Sequence, residues 1–185
     1  MTSARPWEAV YPPGARWDAP LEIGTLGALL DGMAARWADR PALEYRGRRI
    51  TYAALKRAAD RLAAGLLALG IAPGQAVGLL LPNTPWHPIC FLALTRIGAR
   101  VVHLSPLDAR RVLHHKLTDS GARVVIGTDL PNLLAPALEL LESGVVDRLL
   151  LGEDAVWGGE AGPGDPHATP LSSVVAEPPA AWPAV

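Results

Sequence analysis

Residues 48–106 constrain this chain more than any other stretch. A short Arg-Ile-Thr strand leads into a long amphipathic pattern, then an apolar strand ending Leu-Pro-Asn, a second helical pattern, and another apolar strand. Two buried strands, each reached through a helix, are the smallest unit of a doubly wound sheet. The spacing predicts an α/β fold: an incomplete doubly wound, mainly parallel sheet with flanking helices.

Local signals set the boundaries. Thr25 is placed to cap a helix running to about Ala38, with Leu26, Leu29, Leu30 and Met33 on its buried face. Ala42–Tyr45 and Arg48–Thr51 flank Arg46-Gly47 and predict a β-hairpin. Thr51 caps the next helix, whose Leu55, Ala59, Leu62, Leu66 and Leu69 form one face. Gly70 ends that helix, and Val77–Leu81 is a buried strand. Asn83 or Thr84 caps the following helix, which runs to Ile97 before Gly98. Val101–Leu104 is the next strand, Asp108 caps a helix to Ser120, and Val124–Gly127 is a further strand. Leu133–Leu141 and Asp147–Leu151 continue the alternation as helix and strand. Three parts follow: an arm over 1–24 carrying Trp7, Tyr11 and Trp17 to lay on a surface, an α/β body over 25–151, and a Pro/Gly-rich linker or truncated continuation over 152–185.

Composition narrows the function. Half the residues are hydrophobic, 19% are charged and net charge is -1, so the electrostatic footprint of a nucleic-acid binder is missing. One cysteine, Cys90, falls within an apolar helix and reads as a small buried hydrophobe. No apolar run approaches membrane-spanning length, and a cytoplasmic location follows. Neither Gly-x-Gly-x-x-Gly nor Gly-x-x-x-x-Gly-Lys occurs, and no serine sits in a Gly-x-Ser-x-Gly elbow. His114 and His115 are adjacent and diverge on a helix; His115 and Asp119 share a face, but two ligands make no metal site. Asn83, His103 and Ser105 lie at or just past strand ends, where open α/β sheets place ligands; capping, turn formation and sheet-edge hydrogen bonding are the commoner roles for such residues.

Four phrases in order, Asp39 to Leu55, Ala63 to Gly74, Val77 to Pro85 and Asp119 to Ile126, resemble the N-terminal portion of AMP-forming acyl-CoA synthetases. The arm from Tyr11 to Pro20 is similar to that of bacterial long-chain fatty acid ligases. The resemblance implies a full enzyme that adenylates a carboxylic acid with ATP and Mg²⁺ and passes the acyl group to coenzyme A. It implies peripheral membrane contact where the substrate is a long-chain fatty acid. The family's Ser/Thr/Gly-rich loop ending Pro-Lys-Gly and its C-terminal lysine match no stretch here, and Lys56 and Lys116 fall on helices. The chain alone is therefore expected to be inactive, to bind no cofactor, and to self-associate through exposed apolar surface. Ala54 stands where the family's capping box has glutamate. Leu104-Ser-Pro-Leu-Asp-Ala replaces a more usual Asn-Pro turn beside the family's coenzyme A contacts, which affects any role for Ser105. Two other readings remain: a non-catalytic interaction module using a sheet edge or apolar face, and a flavodoxin-like domain binding a small ligand near Asn83 and His103.

Overall fold

The alternation of apolar strands and amphipathic helices is realised in a computed structural model that describes residues 5–16, 18–20 and 23–183. Helix α1 (Leu26–Arg36) is followed by the hairpin β1 (Pro41–Tyr45) and β2 (Arg48–Thr51), then α2 (Tyr52–Ala68). Next come β3 (Ala76–Leu79), α3 (Trp86–Arg96), β4 (Arg100–His103) and α4 (Arg110–Ser120). β5 (Val124–Thr128), α5 (Pro131–Glu142), β6 (Arg148–Gly152) and the short β7 (Ala168–Pro170) complete the order. The Thr25 and Thr51 hydroxyls accept the amides of Ala28 and Ala54 at 3.1 and 3.2 Å, as their positions before α1 and α2 predict.

The main sheet has the order β4-β3-β5-β6-β7, every neighbouring pair parallel. A flavodoxin-type sheet has the same order, its chain reversing direction across the sheet between the first and third strands. Apolar runs that look continuous in sequence divide by alternation between two cores. Val77, Leu79, Val124, Ile126 and Leu150 face α1, α2 and α3. Leu80, Val125, Leu149 and Leu151 face α4 and α5. Gly78 and Gly65 are required by contact rather than by backbone angle: a β-carbon on Gly78 would lie 3.0–3.1 Å from Val125, Leu104 and Leu117, and one on Gly65 only 1.6 Å from the Val174 carbonyl oxygen.

Three expectations need correction. Neither Asn83 nor Thr84 caps α3; Pro85 takes the cap position without a side-chain bond, because the turn places the Thr84 hydroxyl inside the protein. Asp108 does not cap α4, where Ala109 holds the position. Its carboxylate instead accepts the Ser105 amide at 3.0 Å and the Lys116 ammonium at 2.6 Å, stapling the turn to the helix. The arm's described residues form a single 3-10 turn, Pro6–Val10, that buries nothing, and Trp7 and Tyr11 are exposed; Trp17 lies outside the described residues. The residues after Gly152 continue the sheet, the second of the two alternatives for 152–185. They add β7 to the sheet, bury Leu171 and Val174, and carry Trp182 to the guanidinium of Arg96. Their periodicity is hidden because the strand is three residues long and ends in proline.

Beneath that tail lies a buried ionic cluster. Arg96, 6% exposed, donates to both oxygens of Asp31 at 2.6 and 2.7 Å and to Asp60 at 3.0 Å. Lys56 pairs with Asp31 at 3.0 Å and also with Asp60. One arginine thus ties α1, α2 and α3 together, and α1 approaches it so closely that a β-carbon on Gly27 would lie 2.9 Å from its Nη1.

Candidate functional site

In a doubly wound sheet the natural ligand crevice opens where chain direction reverses, beyond the C-terminal ends of β3 and β5. Helix α3 leaves β3 toward one face and α5 leaves β5 toward the other, so the crevice exists in outline. Here it is filled. Trp86, from the first turn of α3, packs edge-on against Trp157 with centroids 5.6 Å apart and donates its indole N–H to the Glu153 carbonyl at 3.0 Å. Gly152 admits it: a β-carbon there would lie 2.6 Å from the Trp86 ring.

The polar strand-end residues lie to one side. A cleft of 210 Å³ is bounded by Leu43, Glu44 and Tyr45 of β1 and by Asn83, Thr84 and His87 at the start of α3. Asn83 is exposed on its rim. Thr84 is 8% exposed, and its hydroxyl has no hydrogen-bond partner. His87 packs at a tilt against His103 with ring centroids 5.4 Å apart, and Phe91, one turn further along α3, packs against the same His103 ring at 5.6 Å. Burial first, and the neighbouring His103 second, hold the His87 imidazole below its ordinary value of 6.5, so it is neutral at neutral pH.

Of the three residues singled out by sequence, Asn83 and His103 are therefore joined through His87. Ser105 is not brought in: its hydroxyl accepts the Leu107 amide at 3.1 Å and its own amide is bound to Asp108, both within the turn. Sequence reasoning missed Thr84 and His87 as site residues. The available signal was the i, i+4 pair His87 and Phe91, which places both rings over the end of the adjacent strand.

A second cavity of 550 Å³ lies beyond β5 and β6, with Arg46, Asp129 and Asp154 in its wall. Its arginine and two aspartates are already engaged. Arg46 donates to both oxygens of Asp154 at 3.0 Å, and Asp129 accepts the amides of Asp154 and Gly162 at 2.9 and 3.1 Å. Gly159 and Gly162 allow this closure, since β-carbons there would overlap Asp154 and Asp129.

The donor set does not fit MgATP. Lys56 and Lys116 are spent on Asp31, Asp60 and Asp108. Among the described residues no group of three His, Cys, Asp or Glu side chains could hold a metal ion. Cys90 is fully buried, which pushes its thiol far above the usual range, so it supplies no nucleophile. No helix of the described residues is long and apolar enough to cross a membrane.

Comparison with known proteins places this geometry. Residues 30–181 match the family described as AMP-binding enzyme. A long-chain-fatty-acid–CoA ligase of Bacillus subtilis (strain 168) is 32% identical over 151 residues, covering 82% of this chain and 27% of the relative. Triostin synthetase I of Streptomyces triostinicus is 44% identical over 97 residues, covering 52% of this chain and 18% of the relative. The solved structure of Mycobacterium smegmatis MbtA superposes with a TM-score of 0.72 at 30% identity, covering 89% of this chain and 29% of that one. The chain thus spans well under half the length of the proteins it matches.

Proposed function

The chain belongs to the AMP-binding enzyme family, and from that premise we propose that it supplies the N-terminal α/β part of an ATP-dependent, AMP-forming fatty acid CoA ligase. The observation that carries this reading is the family match across 30–181, which includes the tail packed on the sheet as well as the βαβ core. In a protein of the relatives' length, ATP would activate a carboxylic acid as its adenylate and coenzyme A would accept the acyl group. Mg²⁺ would accompany ATP. This chain's own contribution is architectural: it positions the ends of β3, β5 and β6, with Trp86 and Trp157 packed at the end of β6, while Arg96 ties α1, α2 and α3 together. No step is assigned to its residues: Lys56 is paired with Asp31 and Asp60, and Lys116 with Asp108.

The reading keeps 1–24 as an arm and 25–151 as the body, with 152–185 continuing the same sheet. It includes a cytoplasmic location, peripheral to a membrane when the substrate is a long-chain fatty acid. It also includes self-association through exposed Ile23, Leu26 and Leu29. The non-catalytic module is not favoured, since the Bacillus subtilis relative matched over 82% of this chain is a ligase.

The likeness to phosphinothricin tripeptide synthetase PhsC of Streptomyces viridochromogenes, 38% identical over 109 residues, supports a second carboxylate class, amino acids, within the same adenylating chemistry. Carboxylate-dependent exchange of pyrophosphate into ATP tests the assignment. The 185-residue chain is expected to stay at background with fatty acids and with amino acids alike. Exchange above background with either would show that the chain carries a complete adenylating site and would contradict this division of labour.

A further inference from the structure

The hairpin β1–β2 is a two-stranded sheet apart from the main one, and two strands alone are marginal in water without further pairing or packing. It packs on the core through Ala42, Leu43 and Ile50. Its strands meet through the two-residue turn Arg46-Gly47, both residues at positive φ, which makes Tyr45 and Arg48 a hydrogen-bonded pair. Ladder pairs alternate. Glu44 and Arg49 are therefore a pair without mutual backbone bonds, and their amides and carbonyls point outward from the hairpin. Among the described residues no other backbone group takes up those of Glu44. On β2 the corresponding edge carries the charged side chains of Arg48 and Arg49, a common protection of a free strand. On β1 the edge opens into the 210 Å³ cleft beside α3: Leu43, Glu44 and Tyr45 all line it and no β2 residue does. Successive side chains of a strand point to opposite faces, so three in a row mark a cleft along the edge rather than over a face. Its far wall includes Pro85 and Pro88, which have no amide hydrogens to compete with those of the strand.

We infer that the outer edge of β1 is a docking site for one further strand, supplied by the part of the ligase that this chain does not span. The inference rests on the ligase reading. The segment matched in the Bacillus subtilis relative is 27% of its length, so such a strand has a source. The incoming segment is extended, exchanges hydrogen bonds with the Glu44 amide and carbonyl, and sets an apolar side chain against Leu43, Pro85 and Pro88. Three strands packed on the core make a stable sheet where two are marginal.

Amide hydrogen exchange reads that edge directly. In the 185-residue chain the Glu44 amide is expected to exchange fast, while that of Tyr45, bonded to β2, is protected. In a chimera with residues 30–181 of this chain in place of the matching segment of the Bacillus subtilis ligase, the Glu44 amide should exchange at least about tenfold more slowly. Glu44→Pro removes the outward N–H without touching a β1–β2 bond, and an edge strand tolerates proline there. The melting temperature of the 185-residue chain should then move by no more than about 4 °C, from loss of the exposed Glu44–Arg49 pair. In the chimera the same substitution blocks the added strand and should lower the melting temperature by clearly more. Fast Glu44 exchange in a folded chimera, or an equal melting shift in both backgrounds, would overturn the inference. So would slow exchange in the 185-residue chain that deepens with protein concentration, because it assigns the edge to a second copy. These readouts need only a folded chimera, so they can fail while acyl-CoA formation stands, and the reverse.

Discussion

Arg96→Met is expected to destabilise the fold by about 3 kcal/mol, the lower end for removing one member of a buried charge cluster. Met matches the arginine stem in length and helix propensity, so the loss comes from the guanidinium. Without it, Asp60, 6% exposed, keeps only Lys56, and the contact to Trp182 disappears. The lower end applies because Lys56 remains and the Asp31 side chain is 46% exposed. Urea unfolding should show a lower midpoint with unchanged slope. The double variant Arg96→Met/Asp60→Leu should recover much of the loss, since it no longer buries an unpaired carboxylate. A single variant as stable as wild type would mean that the cluster is solvated and contributes little.

The same cluster predicts an acid limb. The Arg96 hydrogen bonds hold the Asp31 carboxyl at about 2, below its ordinary 3.8, against the opposing effect of burial. A folded value below the unfolded one gives stability that is full above pH 3.8 and lost as pH falls toward 2. With Asp31 half exposed, solvent screening reduces this to roughly 1 kcal/mol. In Arg96→Met, stability should depend less steeply on pH across that window.

Gly65→Ala is expected to destabilise the protein by about 3 kcal/mol or more, although helix propensity alone would stabilise it by up to about 1 kcal/mol. The added methyl would lie 1.6 Å from the Val174 carbonyl oxygen and 2.5 Å from its carbon. Both are backbone atoms, held by Leu171 and Val174 in the core and by the Ala176 amide on the Arg61 carbonyl at 3.1 Å. α2 cannot bend locally because both faces of that turn are packed. The segment from Leu171 to Trp182 must lift away, and limited proteolysis should cut there first. A variant that melts higher than wild type and resists cleavage would show that the tail is not seated on α2.

Much of this architecture was legible in sequence, for identifiable reasons. Thr25, Thr51, Gly70 and Gly121 are chemical punctuation whose effect is local, and each ends or begins a helix as its chemistry predicts. The five apolar residues from Val77 to Leu81 could be recognised as buried, because a strand covered on both faces leaves no alternation to misread. Asp108 misled because a carboxylate two residues before a helix looks like a cap until a lysine eight positions later claims it. Nor could the tail be read, since its order comes from contacts with Gly65, Arg96 and β6, all distant in sequence. The candidate site was half legible. Strand-end position identified Asn83 and His103, but the cleft depends on β1 folding back against α3, and no local pattern encodes that approach.

The most direct test of the central claim is a graft. Residues 30–181 of this chain would replace the matching segment of the Bacillus subtilis long-chain-fatty-acid–CoA ligase, and ATP- and coenzyme A-dependent acyl-CoA formation would be measured on the purified chimera. The account predicts a cooperative melt and measurable acyl-CoA formation, because the same sheet, crossovers and tail would present the same strand ends to the rest of the enzyme. A chimera that folds cooperatively yet forms no acyl-CoA would contradict it.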